Sequence, residues 1–408
     1  VIDRVVVLND VSVARGGATG LALASVRGLR ARGVPVTWVT GDAGEAPELR
    51  ALGVEIVPLG QALLLEAGLR GALLRGLYNR RTVAVLGDWI GRHDTAGTVY
   101  HVHTWSRILS PSVFRALRPV AARLLISAHD FFLVCPNGGY VTYGSGQPCR
   151  LRPMSAACVL ASCDRRSHGH KLWRVARQAV RQMVFDLRRT PPLVLAIHDG
   201  MRPGLERGGI PGAAIRVLRN PIRPFSATRI PAERNREIVF VGRLHPEKGA
   251  DLAARAARRA GARLRVIGDG PMLGALRRDH PEVAFDGQQP PAEIGRLVAG
   301  ARALVMPSRY PEPFGLVAGE ALWSGLPVIL GDTALMAAEI RARGAGLACD
   351  VRDEAALADA MRTVLDDDAA AARMSGRAFA GTRDLGMTPA AWQAALEAAY
   401  AERVGAAS

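Results

Sequence analysis

Short apolar runs alternate with amphipathic stretches along the whole chain. RVVVLND (residues 4 to 10) leads into a Gly-Gly turn and the helix-like GLALASVRGLRARG, and VPVTWVT (34 to 40) comes next. VEIVPL, TVYHVHT (98 to 104) and RLLISAH (123 to 129) continue the series, each separated by helical stretches. β-Branched runs that alternate with helices predict a parallel sheet covered on both faces. The pattern restarts after residue 236, with EIVFVGR (237 to 243), LRVIGDG (264 to 270), ALVMPSR (303 to 309) and PVILGD (327 to 332), again with helices between. The prediction is α/β: two Rossmann-like, doubly wound domains. RNPIRPFSATRIPAERNRE (219 to 237) holds three prolines and mixed charge and reads as a linker. TPAAWQAALEAAYAERV starts with a Thr cap and Pro and reads as a final helix. The expected boundaries are 1–222, 223–385, and a C-terminal helix, 386–408, able to pack back on the N-terminal domain.

With 408 residues and 49% hydrophobic composition, the chain is too long for one ordinary core. No window reaches ~18 unbroken apolar residues, so no membrane-spanning helix is expected. VIDRVVVLND lacks the basic-then-apolar layout of a signal peptide, which makes cytoplasmic the expected location. The net charge of +16 is one-sided: residues 1–225 hold 30 Lys plus Arg against 14 Asp plus Glu, and residues 226–408 hold 23 of each. The first half therefore faces something anionic (a membrane surface, a phosphorylated acceptor or nucleic acid) or simply carries a solvated basic surface. Nucleic acid ranks last, because no reading helix or aromatic platform is present.

Ligands of open α/β sheets bind beyond the carboxyl ends of the strands, and the informative motifs fall on those turns. VGRLHPEKGAD (241 to 251) offers Gly242 for close backbone approach and brackets the turn with Arg243 and Lys248. Lysine occurs only at 171 and 248 in this Arg-rich chain, so a compact charge suited to phosphate stands out at 248. A chance surface lysine is the plain alternative. VIGDGPM (266 to 272) adds a second Gly-rich turn at Gly268. SRYPEPFGLVAGEALWSGLPV (308 to 328) is the strongest signal. A helix starting near Gly315 leaves the amides of Phe314, Gly315 and Leu316 free for phosphate oxygens. Glu312 sits between two prolines, and Glu320 lies in the second helical turn of the same face. A ribose diol suits one carboxylate accepting two hydrogen bonds. The alternative is a pair of unrelated carboxylates favoured by a helix start.

The set VGRL…EKG, IGDGP and MPS…E-P-FG-L…GEAL-SG-PV resembles the retaining family 4 glycosyltransferases of GT-B fold, in which two Rossmann-like domains face an interdomain cleft. Glu312 and Glu320 match that family's paired-glutamate motif. The resemblance implies a nucleotide-sugar donor, UDP- or GDP-linked, with no metal or other cofactor required. It implies transfer with retention at the anomeric carbon. Arg243 and Lys248 match the diphosphate pair, Glu320 the ribose ligand and Glu312 the residue touching the donor sugar. The base would sit near Phe285 to Gly287. The 1–222 domain would bind the acceptor and the 223–385 domain the donor.

On the acceptor side, ARGGATG (14 to 20) is by itself a simple strand-to-helix turn. In the resembled family a loop with Gly16 and Gly17 closes over the donor phosphates. HVHTW (101 to 105) and SAHDFFLVCPNGGY (127 to 140) each end a strand in a polar cluster. His129 matches the family's active-site histidine, and His103 is a candidate for the acceptor pocket. Cys135, Cys149, Cys158 and Cys163 do not follow a standard zinc spacing. A structural zinc, a disulfide pair and free buried thiols all stay open. Residues 165–189 form a basic amphipathic helix with Trp173, Val175, Val180, Met183, Val184 and Leu187 on offer for an apolar face. Such a helix lies on an anionic bilayer or packs by that face into its domain.

The expected function is sugar transfer from a nucleotide-sugar to an acceptor hydroxyl. A lipid-linked glycan in polysaccharide assembly, met peripherally at an anionic inner membrane face, is the first choice of acceptor. A soluble small-molecule acceptor, a nucleotide-sugar epimerase of the same fold and a non-catalytic nucleotide-sugar sensor are the alternatives.

Overall fold

Two parallel sheets carry the chain, seen in a computed structural model that describes residues 1–406 apart from 15, 65, 67 and 190. One compact unit comprises residues 1–144, 149–218 and 390–408, and the other residues 145–148 and 219–389.

The first sheet uses β1 (Arg4–Asn9), β2 (Val36–Thr40), β3 (Glu55–Pro58), β4 (Thr98–Val102), β5 (Leu124–Ala128), β8 (Leu193–Ala196) and β9 (Ile215–Val217), in the order β3-β2-β1-β4-β5-β8-β9. The two-residue strands β6 (Val141–Thr142) and β7 (Gln147–Pro148) stand outside it. The second sheet uses β10 (Glu237–Val241), β11 (Arg263–Ile267), β12 (Ala284–Gly287), β13 (Ala301–Met306), β14 (Val328–Gly331) and β15 (Gly346–Cys349), in the order β12-β11-β10-β13-β14-β15. The pairings within both sheets are parallel. The predicted doubly wound fold is therefore present twice. β8, β9, β12 and β15 are additions to the strands named from sequence.

Strand alternation explains why both faces are covered. In β10, Ile238 and Phe240 join a core with Ala253 and Ala257 of helix Ala250–Ala260 and Met361 of helix Glu354–Asp366. Val239, between them, joins the opposite core with Ala318 and Leu322 of helix Leu316–Trp323. The alanines of 250–260 are not idle composition. Ala250, Ala253, Ala254, Ala256 and Ala257 are all buried, which lets the helix lie close against its neighbour.

In each sheet the strand order reverses beside the first strand, between β1 and β4 and between β10 and β13. Connections run to opposite sides there, which opens a crevice at the carboxyl ends. Two glycines fix the turns of the second crevice. Gly249 (φ +74°) would place a Cβ 2.1 Å from the Pro307 carbonyl oxygen. Gly268 (φ +148°) would place one 1.9 Å from the Gly242 carbonyl oxygen. These turns exist only because no side chain stands between them.

Gly249→Ala should therefore cost more stability than Gly261→Ala. Gly261 has a similar φ, +67°, with nothing within 4 Å of its would-be Cβ. Both variants carry the left-handed backbone penalty of about 1 kcal/mol, and only the first adds a backbone clash. Denaturant unfolding checks this, and equal losses would show that the contact with Pro307 does not constrain the turn.

Candidate donor and acceptor sites

In the second unit, the turns after β10 and β13 meet at the reversal point. After β10 the chain passes Gly242 and Arg243, makes one tight turn over Pro246–Lys248 and starts the next helix beyond Gly249. After β13 it starts helix Leu316–Trp323 beyond Gly315, whose φ is +71°. Lys248 Nζ lies 2.7 Å from Glu312 Oε2 and 3.0 Å from the Tyr310 hydroxyl. The Ser308 hydroxyl donates to the same carboxylate oxygen at 3.0 Å. Arg309 strengthens the seam: its guanidinium meets Asp251 at 2.5 and 2.8 Å, and its N–H donates to the Glu247 carbonyl at 2.9 Å.

This surrounding sets the charge of Glu312. Burial pushes its carboxyl up, but the charge of Lys248 and the bonds from Lys248, Tyr310 and Ser308 outweigh it and hold it below the ordinary range. Glu320 is the opposite case. Burial pushes its carboxyl up to about 7, with nothing in the chain opposing it. Arg243 is exposed and makes no ion pair among the described residues. The Phe314 ring is buried in the core, so only its backbone is available to a ligand. The first amides of helix Leu316–Trp323 have no intrahelical acceptor. The second unit thus brings a tethered cation, an exposed cation, free helix-start amides and a carboxyl of raised pKa to one sheet edge.

In the first unit, Gly16 is extended and Gly17 opens helix Gly17–Ala31, and both are exposed. A Cβ at Gly16 would meet nothing within 4 Å, so the chain's own packing does not demand glycine there. Arg15 lies outside the described residues. His103 Nδ1 and His129 Nε2 are 3.1 Å apart, with the rings stacked at 5.3 Å. His101, behind them, bonds Tyr400 at 2.8 Å and Ser127 at 2.9 Å. Burial pulls His103 well below its usual pKa and His129 down to about 4, so both are neutral near pH 7. One of the paired nitrogens must be the donor. The outer atoms, His103 Nε2 and His129 Nδ1, are buried without a partner and together offer one N–H and one lone pair.

Residues 225–380 match the sequence model of the family described as Glycosyl transferases group 1. That stretch is a group 1 glycosyl transferase domain. It contains every second-unit residue discussed above. Glycogen synthase of Mycobacterium tuberculosis (strain ATCC 25618 / H37Rv) is 38% identical over 179 residues, covering 40% of this chain and 43% of that enzyme. The chain thus spans less than half the length of the first curated relatives it matches. Sucrose-phosphate synthase from Thermosynechococcus elongatus superposes with a TM-score of 0.70 at 18% identity, over 98% of both chains. Anabaena HepE in complex with UDP-glucose gives 0.65 at 17%, over 98% of this chain and 99% of that one. The fold is GT-B.

Around the group 1 domain's two glutamates, sequence reasoning missed the partners. Ser308, Tyr310, Arg309 and Asp251 carry no spacing signal, because their meeting depends on β10 lying beside β13. In the first unit it missed Asp10, whose buried carboxylate accepts the N–H groups of Arg107, Ile108 and Leu109 at 2.8 to 2.9 Å and anchors the loop after β4. The basic helix also differs from expectation. Helix His168–Val184 buries Lys171, Arg177, Gln178 and Arg181, while Leu172 is 45% and Met183 75% exposed. Of the six side chains expected on its apolar face, Leu187 is buried, Trp173, Val175, Val180 and Val184 are half-buried, and Met183 faces out. Arg177 stacks on the rings of Trp105, Phe132 and Trp173 and donates to the Ser106 carbonyl at 2.8 Å. Its charge is spent on rings and a carbonyl, not on solvent.

Two measurements test this geometry. Lys248→Met leaves Glu312 without its cation. Breaking fully buried pairs costs several kcal/mol, and here, with both side chains partly exposed, about 1–3 kcal/mol is expected. Adding Glu312→Gln should restore most of that stability but not diphosphate affinity. A double variant as unstable as the single one would refute the pairing argument.

Glu320 predicts a pH signature. A diol donates to the ionised carboxylate, so nucleoside diphosphate affinity should rise as the pH passes upward through about 7. Bound nucleotide should pull that pKa down. Calorimetric titrations of wild type and Glu320→Gln at several pH values should differ in slope, and matching slopes would remove Glu320 from the site.

Proposed function

We propose that the protein is a retaining glycosyltransferase that moves a sugar from a UDP- or GDP-linked donor to an acceptor hydroxyl, with no metal or other cofactor required. The observation that carries this reading is the Lys248–Glu312 seam beside Arg243 and the helix start at Gly315. The complex of HepE with UDP-glucose supports the donor class. Glu320 takes the ribose hydroxyls. Arg243, Lys248 and the amides of Phe314 to Leu316 take the diphosphate. The bond from the anomeric carbon to the diphosphate breaks on the face where the acceptor oxygen arrives, and the acceptor proton passes to the departing diphosphate oxygen. Negative charge grows on that oxygen, and Lys248 is already held in place to meet it, so little reorganisation is needed. Glu312 orients the sugar ring while it holds Lys248.

The first unit is the acceptor side in this reading. Gly16 and Gly17 leave backbone open to phosphate, and the His103–His129 pair offers a donor and an acceptor to sugar hydroxyls. The acceptor is a lipid-linked glycan met at an anionic membrane surface. The charge split supports this. So do the exposed side chains of Leu172 and Met183, with Leu73 (41%) and Leu74 (70%) on the adjoining helix Leu69–Leu77. Arg165, Arg166, Arg188 and Arg189 remain exposed at the two ends of the basic stretch. Among the described residues no helix is long and apolar enough to cross a membrane, so docking would be peripheral.

A panel of UDP- and GDP-sugars, with the product's anomeric configuration read by NMR, tests the chemistry. An inverted product, or no transfer and no slow hydrolysis from any donor, would sink it. For the membrane reading, the protein should sediment with anionic vesicles at low salt, and Leu74→Asp with Met183→Asp should weaken that about tenfold or more. Equal binding to neutral vesicles would leave a soluble acceptor as the better choice.

A further inference from the structure

Residues 135–165 build almost no regular structure; the five-residue helix Ala156–Leu160 is the longest element there. The apolar side chains this stretch buries are Pro136, Tyr140, Val141 and three cysteines, Cys135, Cys158 and Cys163. Cys149 joins them, so that four sulfurs line one small cavity with Asn137, Tyr140 and Lys171. All four thiols are unpaired. Lys171 reaches in from the first turn of helix His168–Val184 and is 1% exposed. Its Nζ lies 3.1 Å from Cys163 Sγ and 3.6 Å from Cys158 Sγ. A cationic head therefore already stands among the sulfurs. Asn137 fixes the frame: it accepts from Cys135 Sγ at 3.2 Å and donates to the carbonyls of Val141 at 2.7 Å and Cys163 at 3.1 Å.

As the side chains stand, no three metal-binding groups close on one point among the described residues. The donor chemistry still points one way. No carboxylate or imidazole lines the cavity. Four thiolates in a closed, sheltered site suit a tetrahedral structural zinc, with no position left for water. A stretch with so small an apolar core also gains most from a metal staple.

We propose that Cys135, Cys149, Cys158 and Cys163 are the four ligands of a structural zinc ion. Binding releases four protons and leaves a tetrathiolate of charge −2, and Lys171 moves aside to donate N–H···S bonds to it. The site is separate from the donor chemistry, so its success or failure leaves the glycosyltransferase reading untouched.

The test uses the full chain, purified reduced and reconstituted with zinc alone. Elemental analysis should find one zinc per chain. Cys149→Ser and Cys158→Ser should each lower the zinc content at least about tenfold, while Cys349→Ser should not. Should the serine variants fail to fold, cobalt substitution of the intact chain still decides, because a four-thiolate tetrahedral site has a distinctive visible spectrum. Zinc far below one per chain after reconstitution would overturn the proposal. So would a cobalt spectrum without thiolate bands, or thiol reactivity at the four cysteines that zinc does not change.

Discussion

The second unit depends on one contact, the ion pair that joins Lys248 to Glu312 across the reversal of strand order. Two half-buried charges are costly to desolvate, and a pair alone often fails to recover that cost. Here the carboxylate takes a further hydrogen bond from Ser308, and the ammonium also meets the Tyr310 hydroxyl. Arg309 and Asp251 repeat the link on the outer side. The two turns therefore behave as one piece. With those cations paired, the exposed Arg243 and the first amides of helix Leu316–Trp323 are the groups left open to an anion.

The first unit solves the same mechanical problem at the same place in its strand order with the opposite sign. Its anchor is Asp10, and the partners are three successive backbone amides rather than a side-chain cation. The loop after β4 is pinned to the end of β1 with no formal positive charge used up. Behind it lies a file of neutral imidazoles that present hydrogen-bonding atoms without charge, an arrangement suited to hydroxyls rather than to phosphate.

The sequence made the central strands legible, because parallel strands buried on both faces must be continuous apolar runs. Two edge strands were harder, and β8, an interior strand reading LVLA, was passed over although it has that composition. β9 has an arginine in its middle and β12 reads AFDG, so neither has the composition of a buried strand. The candidate residues at turns were readable from glycine, proline and isolated charge. Their partners were not, since Lys248 and Glu312 are 64 residues apart and meet only through sheet order. Amphipathicity showed that helix 168–184 has two faces but not which one turns inward. Arginine stems and guanidinium planes pack well on aromatic rings, and the rings of Trp105 and Phe132 decide the matter from other elements.

Helix Pro389–Gly405 belongs almost entirely to the first unit, although it follows residues 219–389, the bulk of the second. Its Tyr400 supplies the bond to His101 across 299 residues of sequence. During synthesis on the ribosome, the strand that carries His101 emerges first and waits for a helix that follows the whole second unit. Until then the ring nitrogen facing Tyr400 lacks its partner and the surface under the final helix stays uncovered. Domains made from one continuous stretch can fold as they emerge. This one cannot close until the second unit has been made, so termination anywhere in the second unit leaves the first incomplete as well.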